Sequence, residues 1–421
     1  MPKSFIHKTF GQTLRKASRM PSIGKLLNAT RLIQRALMGD APRAKPPGSQ
    51  TSSPQNTPRP MPQSTAPQPP PKAAHPSPDF RRTAAPAAND APGTGAPPRV
   101  IILPAPLQPA GDLAADTPGR PASFTQHQFK FESDTYPYRL FVPSTTGANS
   151  SAALPLVVLL HGCKQDALDF SNGTAMNSLA QQRQAMVLYP EQITRGNAMR
   201  CWNWFEPGHQ QADRGEPGMI AALTQQVIQQ YGADPQRVYI AGLSAGGAMA
   251  AVMAGLHPEL FAAVGVHSGL AAGAARDMMS AFSAMRSGAK GRSPSALPTI
   301  IFHGTADTTV HPNNSGHITD AALAGLTATG LVLVKTQTTS SRSNNEKTER
   351  VVYSTADGKP YIENWRIDAG VHAWSGGNAA GSYTDPDGPS ASAAMLAFFL
   401  QHRLPDGSGG PGSPQATPLD I

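Results

Sequence analysis

The pentapeptide Gly242-Leu243-Ser244-Ala245-Gly246 limits what this chain can become more than any other segment. It follows the apolar run Arg237-Val-Tyr-Ile-Ala and leads into a stretch of small helix-forming residues, 247–256. Read in order, that is a strand, a sharp turn and a helix. In such a turn the central serine sits at the tip of a strained elbow. Small residues two places before and after it let the backbone fold that tightly without side-chain collision. The pattern alone is common as a plain turn, so Ser244 becomes a candidate nucleophile only if the rest of the chain supplies its partners.

A serine nucleophile needs a base to take its proton and an acid to hold that base in the right tautomer. Residues 297–307, Leu-Pro-Thr-Ile-Ile-Phe-His-Gly-Thr-Ala-Asp, read as a buried strand ending in a loop that carries Asp307. A second strand pattern covers 362–367, and the loop after it contains Gly370-Val371-His372-Ala373-Trp374. The chain order is therefore Ser244, Asp307, His372, which is the order of α/β-hydrolases and of neither chymotrypsin nor subtilisin. Asp368 and Asp385 are rival acids, and His161 and His303, each before a glycine at a strand end, read as loop braces. Residues 154–163 give an early apolar strand and its loop. The N–H groups of Cys163 and Ala245 are accordingly expected to form the oxyanion hole.

The wider pattern fits. Strands are expected at 129–132, 138–142, 154–160, 185–189, 238–241, 261–266, 299–302 and 361–365, with helices at 166–182, 219–231, 247–256 and 395–400. Apolar strands alternating with helices predict an α/β domain with a mostly parallel sheet covered by helices on both faces.

Five ordered motifs now carry a resemblance: His161-Gly-Cys-Lys-Gln, Cys201-Trp-Asn-Trp-Phe, the elbow itself, His303-Gly-Thr-Ala-Asp-Thr-Thr-Val, and His372-Ala-Trp-Ser-Gly-Gly followed by Gly381-Ser-Tyr-Thr-Asp-Pro. Together they resemble the polyhydroxybutyrate (PHB) depolymerase family of esterases over roughly 123–404. That resemblance implies an α/β-hydrolase fold, a poly- or oligo(3-hydroxyalkanoate) ester substrate, and neither cofactor nor metal. It implies Ser244, Asp307 and His372 as the triad, with Cys163 and Ala245 at the oxyanion hole. Val371 stands where the family leads one to expect glycine. Cys163 and Cys201 have counterparts able to pair in secreted relatives; in this chain both a disulfide and two thiols stay open. Trp202, Trp204 and Trp374 are expected to wall the acyl-binding cleft, with core packing the competing reading for Trp204. Feruloyl and acetylxylan esterases are similar in the same motifs, which leaves a carbohydrate-ester or general carboxylesterase as the alternative. A granule-surface binding protein with little turnover is a third reading.

Composition divides the remainder. Residues 41–122 are crowded with Pro, Ala, Ser, Gln and Thr, with runs such as Pro69-Pro70-Pro71. So little apolar side chain cannot offset the entropy of ordering, so a disordered linker is expected there, with a second loose segment at 405–421. Before Asp40 the basic residues Lys3, Lys8, Arg15, Lys16, Arg19, Lys25, Arg31 and Arg35 match the whole formal net charge of +8. Ile23, Leu26, Ile33 and Leu37 share one helical face opposite Lys25, Arg31 and Arg35, so 1–40 reads as a basic amphipathic segment suited first to docking on a domain or partner and second to a granule or membrane surface. No aromatic interleaving or binding motif points to nucleic acid. The start lacks an uninterrupted apolar run like that of a secretory signal, and the cytoplasm is the expected location.

Overall fold

The computed structural model describes residues 120–145, 153–341 and 347–406. The expected amphipathic segment, nearly all of the 41–122 linker and most of the 405–421 tail lie outside these residues.

The chain enters through a hairpin, β1 (Ser123–Phe131) and β2 (Asp134–Val142). There follow β3 (Leu154–Leu160), α1 (Ala167–Thr174), α2 (Met176–Arg183) and β4 (Met186–Pro190). Next come α3 (Gly215–Tyr231), β5 (Ala233–Leu243), α4 (Ala245–Leu256), β6 (Ala263–His267) and α5 (Met278–Ser287). The order closes with β7 (Thr299–Gly304), α6 (Asn313–Ala328), β8 (Val334–Ser341), β9 (Lys347–Ser354), β10 (Pro360–Ile367), the short β11 (Trp374–Ser375) and β12 (Thr384–Asp385), and α7 (Ala391–Phe399).

Ten strands form one sheet in the order β1-β2-β4-β3-β5-β6-β7-β10-β9-β8. Its middle, β4 through β10 in that order, is parallel, and an antiparallel pair flanks it on each side. A parallel strand with helices over both faces must be apolar at every position, and β3 is: all seven of its residues are buried. Alternate side chains of β3 and β5 feed two separate cores. Leu156, Val158, Leu160, Val238 and Ile240 face α3, α4 and α6, whereas Val157, Leu159, Tyr239 and Ala241 face α1, α2 and α7. Burying each such side chain contributes about 1.5–3 kcal/mol before entropy is counted, which is why the parallel centre can support strained loops at its rim.

Three differences from the sequence reading have local causes. The helix expected at 166–182 is two helices, because Ala175 adopts a left-handed conformation at φ 51° and the carbonyl of Gly173 is taken by Asn378 N–H at 2.7 Å. Helix α6 escaped notice because its apolar positions are diluted by Asn313, Asn314, Gly316 and Gly325. Strand β8 escaped because every one of its residues is exposed, so no apolar alternation marks it.

Candidate active site

Strand β5 delivers Ser244 at φ 59° and ψ −120°, a conformation unfavourable for any residue with a side chain. The turn survives because its surroundings fix it. Ser244 N–H donates to His267 O at 2.9 Å, and Ser244 O accepts Ala248 N–H at 2.9 Å. A Cβ at Gly246 would overlap the carbonyl oxygens of Leu160 and His161, and one at Gly242 would overlap the Gly246 backbone. The glycines therefore let β3, β5 and the start of α4 meet backbone to backbone. Ser244 retains 9% exposure at the tip.

Asp307 lies three residues beyond β7, and His372 lies five beyond β10. The two strands are parallel neighbours, and their loops are sewn together: Thr305 N–H donates to Ile367 O at 2.8 Å and Ala306 N–H to Gly370 O at 2.9 Å. His372 Nδ1 is 2.7 Å from Asp307 Oδ2. The other carboxylate oxygen accepts Thr309 N–H at 2.9 Å and Val310 N–H at 2.8 Å. Burial pushes the Asp307 carboxyl up, but hydrogen bonds from His303 and His372 outweigh it and hold the group well below the usual carboxylate range. An ionised Asp307 accepts the hydrogen bond of His372 Nδ1–H, which keeps the proton on Nδ1 and leaves Nε2 as the basic lone pair.

Ser244, Asp307 and His372 thus follow the carboxyl ends of β5, β7 and β10, strands that lie on one edge-to-edge path through β6. The end of β6 ties the path together. His267 gives its carbonyl to Ser244 and accepts Ser375 N–H on Nε2 at 3.0 Å, while its ring stacks on Trp374 and Phe302 at 5.0 and 5.7 Å. Burial pushes the His267 imidazole down to about 3, so it is neutral and structural. The sequence does not mark it, since Ser244, Phe302, Trp374 and Ser375 all lie far from His267 in the chain. The rival acids stand apart from His372: Asp368 accepts Thr305 Oγ1–H and Ala369 N–H, and Asp385 accepts Asp387 N–H.

Cys163 and Ala245, expected at the oxyanion hole, lie at the ends of β3 and β5, which are paired parallel neighbours. Ala245 opens α4, so its N–H has no intrahelical acceptor. Cys163 is joined to Cys201 by a disulfide with Cα atoms 4.2 Å apart. Gln165, buried, accepts Gly162 N–H on Oε1 at 3.0 Å and donates from Nε2 to Ser382 O at 3.0 Å, bracing this loop against the segment after His372.

The three tryptophans are placed differently from expectation. Trp202, Trp204 and Trp374 are 0, 4 and 1% exposed, packed inside the two cores rather than along a cleft. Each large ring is spent on filling space between elements, and two also spend their N–H groups there: Trp202 Nε1 donates to His161 O at 3.1 Å and Trp374 Nε1 to Ser392 Oγ at 3.0 Å. Among the described residues no cluster of His, Cys, Asp or Glu could hold a metal ion, and no helix is long and apolar enough to cross a membrane.

A serine elbow on a central parallel strand, with an acid and a histidine on the loops after two later strands, defines an α/β-hydrolase. The structure is similar to that of the acetyl xylan esterase from Aspergillus awamori, with a TM-score of 0.50 and 21% identity, covering 66% of this chain and 99% of that one; this likeness concerns the fold. Residues 136–351 match the family described as Esterase PHB depolymerase, and the chain belongs to that family. It is 36% identical over 189 residues to poly(3-hydroxyalkanoate) depolymerase C of Paucimonas lemoignei, covering 41% of this chain and 44% of that protein. Against poly(3-hydroxybutyrate) depolymerase of Ralstonia pickettii it is 27% identical over 289 residues, 63% of this chain and 58% of the other. Against acetylxylan esterase A of Talaromyces purpureogenus the figures are 29% over 196 residues, 42% and 50%. The chain spans about half the length of these relatives.

Proposed function

We propose that this chain is a serine esterase that hydrolyses poly(3-hydroxybutyrate) or its oligomers through an acyl-enzyme. The observation that carries the reading is the 2.7 Å Asp307–His372 pair on loops beside the Ser244 elbow, in a chain of this family. His372 Nε2 takes the Ser244 proton as the hydroxyl attacks the ester carbonyl, and Asp307 stabilises the imidazolium. The N–H groups of Cys163 and Ala245 receive the developing oxyanion. The alcohol leaves with the proton from His372, and water activated by the same imidazole then releases the acid.

The test is 3-hydroxybutyrate release from amorphous granules and from soluble oligomers, comparing the intact protein with Ser244→Ala. Loss of a catalytic serine costs on the order of 10⁶ in kcat; retained turnover in a pure sample refutes the assignment. Cleavage of oligomers alone narrows the substrate to oligoesters. A carbohydrate-ester substrate is the second reading, favoured by the acetylxylan esterase relatives, and acetate release from acetylated xylan without 3-hydroxybutyrate release selects it. Contact of residues 1–40 with a granule surface belongs to the first reading, and granule co-sedimentation unchanged by deleting them overturns it. Cytoplasmic location is likewise a proposal, and the Cys163–Cys201 disulfide bears against it: two free thiols in protein alkylated directly on extraction would support the cytoplasm, and a retained bond would point instead to an oxidising compartment.

A further inference from the structure

We infer that Glu216 is a positioning residue for the oxyanion loop, setting from a distance the direction of the Cys163 N–H. The inference rests on the serine-esterase reading above.

Glu216 is the second residue of α3 and is 2% exposed. One of its oxygens accepts the side-chain amides of Gln192 and, at 2.6 Å, of Asn203; the other accepts Asn203 N–H at 2.7 Å. Among the described residues no lysine or arginine pairs with it. His209 Nδ1 is 3.8 Å away, but that nitrogen already accepts Glu216 N–H at 3.0 Å, so it presents a lone pair and no proton. Burying a carboxylate on amide donors alone is expensive, and the network it organises ends on the loop at 161–163.

Three routes lead there. Gln192, whose side chain Glu216 holds, donates its own N–H to His161 Nε2 at 3.0 Å. Trp202, next to Asn203, donates to His161 O at 3.1 Å. Cys201, whose carbonyl accepts Gln192 Nε2–H at 3.2 Å, is bonded to Cys163. The first route also selects a tautomer. With Nε2 accepting, the His161 proton sits on Nδ1, 2.8 Å from Gly162 O. That oxygen and the Cys163 N–H belong to one planar trans peptide, so fixing the oxygen fixes the N–H in the opposite direction.

Glu216→Gln keeps the shape but can accept on one oxygen only, turning an amide N–H toward Asn203 N–H. Kinetics on p-nitrophenyl butyrate are measured for the intact protein, Ser244→Ala, Glu216→Gln, Glu216→Asp and Thr224→Ala. The last removes a buried hydrogen bond, Thr224 Oγ1 to Ile220 O, elsewhere on α3 and serves as the stability control. Losing an oxyanion donor outright costs about 10²–10³ in kcat and misplacing one costs less, so a fall of about tenfold or more is expected for Glu216→Gln. KM should be unchanged, Glu216→Asp should recover part of the loss, and Thr224→Ala should keep full kcat at an equal or larger drop in Tm. Wild-type kcat in folded Glu216→Gln, or an equal loss in Thr224→Ala, overturns the inference while leaving the esterase reading intact. Turnover retained by Ser244→Ala overturns both. If Glu216→Gln does not fold, Gln192→Ala, which cuts one arm, replaces it, and an unchanged kcat again overturns the inference.

Discussion

The two halves of the site are held by different means. Asp307 and His372 stand on short loops directly off adjacent parallel strands, and main-chain hydrogen bonds between those loops set their separation. The loop at 161–163 is instead gripped by side chains: the adjoining Gln165, and, from farther along the chain, Gln192, Trp202 and the Cys201 sulfur. The half proposed for acid–base work inherits its precision from the sheet, so few side chains there beyond Asp307 and His372 should matter. The half proposed to receive the oxyanion depends on many side chains, and damage to it should come from residues that never touch substrate.

The sharpest cut is within the acid–base half. Asp307→Asn should leave the backbone stitching in place yet lower kcat about 10⁴-fold, as expected when an imidazole loses its orienting acid; a fall of tenfold or less in a stopped assay would mean another group orients His372. On the other side, Cys201→Ser opens a link spanning 38 residues. In the chain-entropy model that costs about 4 kcal/mol of stability, read as a lowered urea midpoint, and kcat should fall as well. A variant with normal kcat at that reduced stability would break the claim that the bond serves the loop.

Acidification gives a graded comparison. Burial pushes His161, His267 and His402 down to about 4, 3 and 3, against about 6.5 in an unfolded chain. The unfolded state therefore binds protons first. The stability these groups contribute is complete above about 6.5 and is lost as pH falls toward their folded values. Asp307, also depressed, adds a loss at still lower pH. Glu216, pushed up to about 7 by burial, works the other way, losing its contribution as pH rises through that value. Three histidines outweigh one carboxyl, so the urea midpoint should drop between about pH 7 and pH 5; a flat profile counts against buried neutral imidazoles. At the small end, Thr338→Ala on exposed β8 should shift stability by no more than about 0.5 kcal/mol and leave kcat alone. A measurable rate effect would extend the site to the sheet edge.

The same contrast decided what could be read from the sequence. The positions of Ser244, Asp307 and His372 were legible because each hangs on a strand whose apolar run announces it, as Leu154–Leu160 does for the loop at 161–163. The supports of the oxyanion loop were not. A single Glu at the head of a helix has no signature, and the partners of Glu216 at 192 and 203 meet it only after β4 and α3 have packed. The tryptophans misled because an aromatic ring serves a cleft wall and a core equally well by composition, and only packing shows that all three lie inside. The broken helix at Ala175 depends on a contact from Asn378, more than two hundred positions later.

The crowding around the elbow carries a consequence for how such motifs persist. A selection that rewarded folding alone, blind to turnover, would keep Gly242 and Gly246, where any side chain collides with main chain. It would discard Ser244 in favour of glycine, which adopts φ 59° without penalty. Most of the motif's letters are thus written by packing, and the serine is the one letter that only chemistry would retain. In a library of folded but unselected variants, drift at 244 beside fixity at 242 and 246 would record the moment at which catalysis ceased to be demanded.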